Sequence, residues 1–360
     1  MPDAPVPYDP SLEVIETGEA ETIEAIDATM AKIRARTLVD EGRPLRSVHA
    51  KSHGFIVGEL TIADDLPPAY AQGLFARPGR HPVVLRSSTI PGDLLDDAVS
   101  TPRGLAMKVL GVTGEPLTPP GGTQDFVMVD APAFNAASLK KFLGALRLVA
   151  ATTDRAEGGK KALSVATRAA ERVVEAFGGR SASLLALGGH RPTHVLGETY
   201  HTQVPIRFGD HVAKLALVPV SPELLALKDV PVDLHDHPDA LREAVVAFFA
   251  RHGATWHLRA QLCTDLEAMP IEDPTVVWPE GRSPFVTVAV VTAGPQVAWS
   301  VARAAAVDDG MSFSPWHGLV AHRPLGAVMR ARRVAYVRSA QFRAAHQGQT
   351  VTEPTDLAGL

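Results

Sequence analysis

Two groups of short strand-like runs, separated by a long helical stretch, constrain the fold of this chain most strongly. The runs are rich in Val, Ile and Thr and are bounded by Gly, Pro or Asp, as is typical of antiparallel strands. They read GFIVGELTI, HPVVLRSSTI, GLAMKVLGV and DFVMV in the first group, and THVLGETYHTQVPIRF, HVAKLALVPV, ATWHLRAQLCT and FVTVAVVTA in the second. Strands and helices do not alternate along the chain. The pattern therefore predicts a closed eight-stranded antiparallel barrel of the α+β class, with a mainly β core, rather than a doubly wound parallel sheet.

Helical periodicity surrounds these strands. Apolar residues at helical spacing predict a helix within residues 16–42 that stops at Gly42. AASLKKFLGALRLVAATT and KKALSVATRAAERVVEAF predict two helices between the strand groups, and PDALREAVVAFFARHG and PQVAWSVARAAAV predict two more. We divide the chain into an N-terminal helical arm (1–45), a barrel (46–295) with a helical insertion at about 136–190, C-terminal helices (296–345) and a short polar, extended tail (346–360).

The composition narrows the kinds of molecule that this protein is expected to bind. A formal net charge of −5 argues against a general nucleic-acid binder. The single cysteine, Cys263, leaves no pair for a disulfide or a zinc ribbon and fits a reducing compartment. No cationic and apolar signal segment is present, and no run reaches the roughly 18 apolar residues of a membrane span. We therefore expect a cytoplasmic protein that acts on small molecules, without nucleic-acid or membrane partners.

One helix-like segment near the C-terminus, ARRVAYVRSAQFR, gathers cations around a phenol. Each residue of a helix advances by about 100°, so Arg332, Tyr336 and Arg343 lie within about 40° of one another. Ser339 and Ala340 lie on the same stripe and leave it flat. The stripe suits a flat ligand, although the same spacing is also typical of a solvated arginine face with a tyrosine at its edge.

Three upstream stretches complete a pattern with this segment. RSVHAKS places Arg46 three residues before His49, VVLRSST contains Arg86, and TPRGLAMKV follows. In order and content, these stretches and the R-x-x-x-Y-x(6)-R pattern of the last segment resemble the haem-containing catalase family. The resemblance extends loosely over residues 46–343. The runs PWHGLVAHRPLGAVMRARRVAY and TQDFVMVDAP further resemble the shorter, catalase-related branch of that family.

The resemblance implies a catalase-like barrel that holds one haem b against the Tyr336 helix. It makes Tyr336 the proximal iron ligand, as a phenolate. A free phenol stays protonated at neutral pH, so the adjacent Arg332 would help to keep it ionised. Arg46, Arg86 and Arg343 match the residues that bind the haem propionates, since two carboxylates require cationic and preferably forked donors.

The resemblance also assigns the opposite side of the haem. His49 matches the distal base, which moves a proton between the two peroxide oxygens so that the O–O bond breaks to give a ferryl haem radical. Ser88 matches a serine that hydrogen-bonds this histidine, and Val48 precedes the histidine in the cofactor pocket. Typical catalases have a distal asparagine just before the strand that matches DFVMV. Thr123 most nearly occupies that position, and this departure argues against fast disproportionation of hydrogen peroxide.

The function implied is that of a haem-dependent peroxidase with weak catalase activity. It would reduce hydrogen peroxide or organic hydroperoxides with electrons from an organic donor. One alternative is an allene oxide synthase-like enzyme that rearranges fatty-acid hydroperoxides, although that branch usually has threonine where this chain has Val48. A second is a non-catalytic haem carrier or sensor, which needs the proximal Tyr336 but not a distal base. Assembly into a homo-oligomer stays open.

Overall fold

The computed structural model describes residues 4–99, 101–152, 191–348 and 350–360. Nine β-strands lie within these residues and form one antiparallel sheet. They are β1 (Ser52–Ile62), β2 (Arg80–Thr89), β3 (Arg103–Leu110), β4 (Thr123–Val129), β5 (Tyr200–His201), β6 (Ile206–Phe208), β7 (His211–Pro219), β8 (Ala254–Leu262) and β9 (Val286–Ala293).

The sheet closes on itself. The strand order is β5-β4-β3-β2-β1-β9-β8-β7-β6, and β5 also pairs with β7. Eight strands therefore form a closed barrel, and β6 is an additional strand beside β7. This arrangement confirms the predicted eight-stranded antiparallel barrel. Closure leaves the eight barrel strands with no unpaired edge, which removes the usual route to edge-to-edge aggregation.

Side chains alternate between the inside and the outside of the barrel, as the two-residue period of a strand requires. On β3, Leu105, Met107 and Val109 are buried in the apolar core inside the barrel. The intervening positions of β3 then face outward. A second apolar cluster covers the outside of β1 and β2, where Phe55 and Val84 pack against residues 307–313. The chain after β9 thus forms an outer layer over one part of the barrel.

Six α-helices lie within the described residues. They are α1 (Glu19–Glu41), α2 (Leu139–Thr152), α3 (Pro222–Leu225), α4 (Ala240–Phe249), α5 (Val301–Ala304) and α6 (Ala327–Gln347). The N–H of Gly42, at φ +66°, donates to the Leu38 carbonyl and ends α1 as predicted. Helices α1, α2 and α6 share an apolar cluster beside the barrel. The predicted helix KKALSVATRAAERVVEAF and the rest of the insertion after residue 152 lie outside the described residues.

One C-terminal helix begins later than the sequence predicts. The segment PQVAWSVARAAAV is helical only from Val301, as the single α-helical turn α5, which continues into a π-turn at Ala305–Asp309. In the polar tail, Leu357 and Leu360 pack against the outer apolar cluster. Within the described ranges, no helix combines the length and apolar character needed to cross a membrane.

Candidate active site

A cavity lies between the strands β2–β4 and helix α6. Its volume is about 660 Å³ when the space open to solvent at its mouth is included, which is in the range of ligand and cofactor sites. Seven of the nine site residues predicted from the sequence line this cavity: Arg46, Val48, His49, Arg86, Ser88, Tyr336 and Arg343. The structure therefore brings together residues from three distant parts of the chain.

Helix α6 supplies one wall of the cavity. Tyr336, Ser339, Ala340 and Arg343 all face it, as the helical spacing predicted. Arg332 does not line the cavity, but its Nη2 donates a hydrogen bond to Tyr336 Oη at 2.7 Å, and its guanidinium lies 5.1 Å from the centroid of the phenol ring. A guanidinium can only donate hydrogen bonds. The phenol oxygen is thus held as an acceptor beside a fixed positive charge.

His49 contributes to another wall and has an unusual backbone. Its φ is +57°, a left-handed conformation that costs a non-glycine residue on the order of 1–3 kcal/mol and that concentrates at functional sites. Two hydrogen bonds hold it there. The His49 N–H donates to the Ile90 carbonyl at 2.6 Å, and the His49 carbonyl accepts from Arg86 Nη2 at 2.8 Å.

The position of the His49 ring depends on a glycine. The ring packs over Gly104 so closely that a Cβ atom there would lie 2.4 Å from His49 Cε1 and 2.5 Å from Nδ1. His49 Nδ1 lies 3.1 Å from Ser88 Oγ, which also donates to the Gly104 carbonyl at 3.5 Å. In the tautomer that carries its proton on Nδ1, the ring donates to the Ser88 hydroxyl, and the second ring nitrogen, Nε2, has no proton and acts as an acceptor.

Electrostatics keep this imidazole neutral. Burial lowers the pKa of His49 to about 3, and the positive charges of Arg86, Arg332 and Arg46 act in the same direction. The cationic form is therefore scarce at neutral pH. A neutral imidazole next to a cavity can accept a proton from a bound molecule and return it.

Arg46, Arg86 and Arg343 converge as predicted, but they bind oxygen atoms of the chain itself. Arg46 Nη1 and Arg86 Nε share Oδ1 of Asp308, at 2.8 and 2.6 Å. Arg343 donates to the backbone carbonyls of Asp308 and Met311. Sequence reasoning missed Asp308. The one signal for it in the sequence was the surplus of arginines predicted for the site. Buried cations are normally accompanied by a carboxylate, so an acidic partner could have been expected.

The arginine cluster retains the capacity to bind an anion. Two guanidiniums, those of Arg46 and Arg86, contact the single carboxylate of Asp308, and that of Arg343 contacts its backbone carbonyl. Burial together with the repulsion from Arg343 and Arg86 lowers the pKa of Arg46. Burial also lowers the pKa of Arg343 to about 10. Arg343 Nε is buried and has no hydrogen-bond partner among the described residues. A negatively charged group in the cavity would relieve both the repulsion and the unpaired donor.

Thr123, the ninth predicted residue, does not reach the cavity. It pairs with Leu110 at one end of the β3–β4 hairpin, whereas Gly104, beneath His49, pairs with Val129 at the other end. Six residues of strand separate the two ends, about 20 Å. The Thr123 hydroxyl donates instead to Glu353 at 3.3 Å. We therefore remove Thr123 from the catalytic group.

Thr123 lies beside a buried charge cluster that we call the tail clasp, formed by Lys108, Asp125, His317 and Glu353. Lys108 Nζ lies 2.7 Å from Asp125 Oδ1 and also contacts Glu353, and both Lys108 and Asp125 are fully buried. His317 Nδ1 lies 3.3 Å from Asp125 and 3.2 Å from Glu353. The tail clasp fixes the C-terminal tail to β3 and β4. Lys108 also lies 5.5 Å from the ring centroid of Phe313, which lines the cavity.

The tail clasp should make stability depend on pH. Burial alone would raise the pKa of Glu353, but His317 and Lys108 lower it to about 2. Burial alone would lower the pKa of His317, but Asp125 and Glu353 raise it to about 9. The contribution of Glu353 is therefore complete above its ordinary value of 4.5 and is lost as the pH falls towards 2. That of His317 is complete below 6.5 and is lost as the pH rises towards 9.

We therefore expect the free energy of unfolding, measured with urea, to decrease by on the order of 1–2 kcal/mol between about pH 6.5 and pH 9. His317→Asn, which retains a donor but cannot titrate, should remove most of this decrease. An equally steep alkaline decrease in the variant would show that another group causes it.

Comparison with known proteins identifies the fold of this chain. No protein-family model matches the chain, and a search of curated proteins finds no relative. Among solved structures, catalase A from Saccharomyces cerevisiae has a TM-score of 0.60 and 18% identity over 86% of this chain and 63% of its own. A fungal catalase gives 0.59 and 18% over 90% of this chain and 67% of its own. A bacterial catalase gives 0.61 and 18% over 89% and 62%.

The chain spans about three fifths of the length of the yeast and bacterial catalases. An identity of 18% shows a common fold and nothing finer. The chain therefore has a catalase-like fold.

Proposed function

We propose that this protein is a haem-dependent peroxidase of the shorter, catalase-related type. In this proposal, haem b binds in the cavity and Tyr336 is its axial ligand. The substrate is hydrogen peroxide or an organic hydroperoxide, an organic donor is oxidised, and catalase activity is weak. The observation that carries the proposal is His49, a neutral imidazole held in a strained conformation on the cavity that also contains Tyr336.

The residues of the cavity fit a haem. A phenolate oxygen is an established ligand for haem iron, and Tyr336 offers its oxygen beside the Arg332 guanidinium. Haem carries two carboxylates, and the arginine cluster provides forked cationic donors, including the unpartnered Arg343 Nε. Ser339 and Ala340 keep this wall of the cavity free of large side chains.

Bound haem would supply the iron that reacts with peroxide, and the chain would orient the substrate and move its proton. His49 Nε2 takes the proton from one peroxide oxygen and delivers it to the other, which leaves as water or an alcohol. The low pKa of His49 keeps the ring neutral before the transfer and makes it release the proton readily once it has accepted it. Ser88 holds Nδ1 so that Nε2 remains the acceptor.

The remainder of the lining supports weak catalase activity. It is mostly apolar around His49, with Val48, Leu105, Ala106, Val127, Met128 and Phe313. Among the described residues that line the cavity, none is Asn or Gln. This lining therefore lacks an amide side chain that would orient hydrogen peroxide beside His49. Its apolar surface suits the carbon chain of an organic hydroperoxide.

A visible spectrum tests the proposal. Purified protein reconstituted with haem should show a Soret band, and Tyr336→Phe should shift or remove it. Tyr70→Phe, which alters a tyrosine outside the cavity lining, should leave the band unchanged. Hydrogen peroxide and an organic hydroperoxide are then added with and without a phenolic donor.

Donor oxidation without oxygen release would support a peroxidase, and rapid oxygen release would indicate a true catalase. Loss of a fatty-acid hydroperoxide without a donor would indicate the rearranging enzyme. A stable Soret band without any reaction would indicate a carrier or sensor. Failure of the reconstituted wild-type protein to show a Soret band would contradict the whole proposal.

A further inference from the structure

We propose that Asp308 is a positioning residue that holds His49 in its left-handed conformation through Arg86. Asp308 lies about 260 residues after His49 in the chain and does not line the cavity. The inference rests on the proposed role of His49 where activity is concerned. The claim that Asp308 holds the backbone of His49 does not depend on haem.

The first contact of this relay joins Asp308 to Arg86. Arg86 Nε donates to Asp308 Oδ1 at 2.6 Å, and the side chains of Arg86 and Asp308 are 3% and 17% exposed. A charge-assisted hydrogen bond of this length, mostly shielded from water, fixes the plane of the guanidinium. The direction in which Arg86 presents its remaining donors is therefore set by Asp308.

The second contact joins Arg86 to the backbone at His49. Arg86 Nη2 donates to the carbonyl of His49 at 2.8 Å and to that of Ala50 at 3.3 Å. One guanidinium edge thus restrains two consecutive peptide groups at the residue whose φ is +57°. A strained backbone conformation persists only where several surrounding contacts hold it in place. Arg86 makes two of these contacts, and Asp308 fixes the position of Arg86.

Asp308 is itself held from several sides. Its Oδ2 accepts from Ser52 Oγ at 2.7 Å, and its backbone carbonyl accepts from Arg46 and Arg343. It lies in the π-turn at Ala305–Asp309, and such turns recur at functional sites. Burial would raise the pKa of Asp308, but Arg86 and Arg46 lower it, so the carboxylate is charged at neutral pH.

Loss of this charge should release His49. Without the carboxylate, Arg86 faces Arg46 and Arg343 with no negative charge between them and is repelled from its place. The bond to the His49 carbonyl is then weakened, and the backbone is free to leave the left-handed region. A purely structural aspartate would instead change global stability and leave His49 as it is.

Asp308→Asn tests the relay, because it keeps the shape of the side chain and removes its charge. Asp309→Asn is the matched control, since the adjacent carboxylate accepts from Gln347 and has no hydrogen bond to Arg86. In protein without haem, hydrogen exchange of the His49 amide should become at least tenfold faster in Asp308→Asn, and the imidazole nitrogen resonances of His49 should shift. In Asp309→Asn both should match the wild type.

The same variants are then loaded with haem. Asp308→Asn should retain a Soret band and react with peroxide at least tenfold more slowly than Asp309→Asn. If His49 exchange and resonances in folded Asp308→Asn match the wild type, the relay is wrong, whatever the protein does with haem. If Asp308→Asn does not fold, Ser52→Ala provides the same test, since loss of its bond to Oδ2 should accelerate His49 exchange to a smaller degree; unchanged exchange there would overturn the relay.

Discussion

His49→Ala should slow the reaction of the haem-loaded protein with peroxide by a factor of about 10²–10⁴, the usual contribution of a positioned acid–base group. The haem spectrum should be retained, because Tyr336 and the arginine cluster are untouched. His49 lines the cavity and is neutral at neutral pH, so its loss removes the group that would move the peroxide proton. Stopped-flow measurement of the Soret change after addition of an organic hydroperoxide gives the rate.

Two further variants sharpen this test. His53→Gln is the control, since His53 is a fully buried histidine four residues away that does not line the cavity, and it should react at the wild-type rate. Gly104→Ala should approach the rate of His49→Ala, because the added Cβ would displace the His49 ring. Wild-type rates in His49→Ala would show that the mechanism proposed for this residue is wrong.

Lys108→Met should lower the free energy of unfolding by about 3–5 kcal/mol, the usual cost of leaving one partner of a buried ion pair alone. Lys108 and Asp125 are fully buried, and Lys108 also contacts Glu353. Loss of the ammonium would leave the carboxylates of Asp125 and Glu353 with His317 as the one remaining cation of the tail clasp, in a region of low dielectric. Equilibrium unfolding in urea near neutral pH measures the change.

A surface lysine and a double mutant serve as controls. Lys228→Met alters an exposed lysine and should change the free energy of unfolding by about 0.5 kcal/mol or less. Adding Asp125→Asn to Lys108→Met should recover part of the lost stability, because the excess negative charge is removed. A decrease below about 1 kcal/mol in Lys108→Met would mean that the tail clasp does not hold the fold together.

The barrel could be predicted because its signal is local. Each strand is a short run rich in Val, Ile and Thr that is bounded by Gly, Pro or Asp, and the chain changes to helical spacing where the barrel ends. The stripe on α6 was predictable for the same reason, since Arg332, Tyr336 and Arg343 are placed by the geometry of one helix. Arg46, His49 and Arg86 were identified by resemblance alone, and the structure places them on the same cavity.

Thr123 and Asp308 show where such reasoning stops. Thr123 was chosen by its place in an aligned stretch, but the register of the β3–β4 hairpin puts it at the end away from His49. Asp308 follows an alanine-rich run without any motif, and only the folded chain brings its carboxylate to Arg46 and Arg86. The partners of Glu353 in the tail could not be predicted for a related reason, since they lie on β3, β4 and the loop before α6.

By itself, the sequence determined the kinds of element in this protein, their order, and the stripe of side chains that one helix presents. These properties depend on the local composition of the strands and on the period of the helix, both of which act over a few residues. The tertiary structure decided which charges meet, which residue takes the strained conformation at the cavity, and what the tail covers. Buried ions must find partners in three dimensions, and strand register and barrel closure, rather than distance along the chain, decide which partners are within reach.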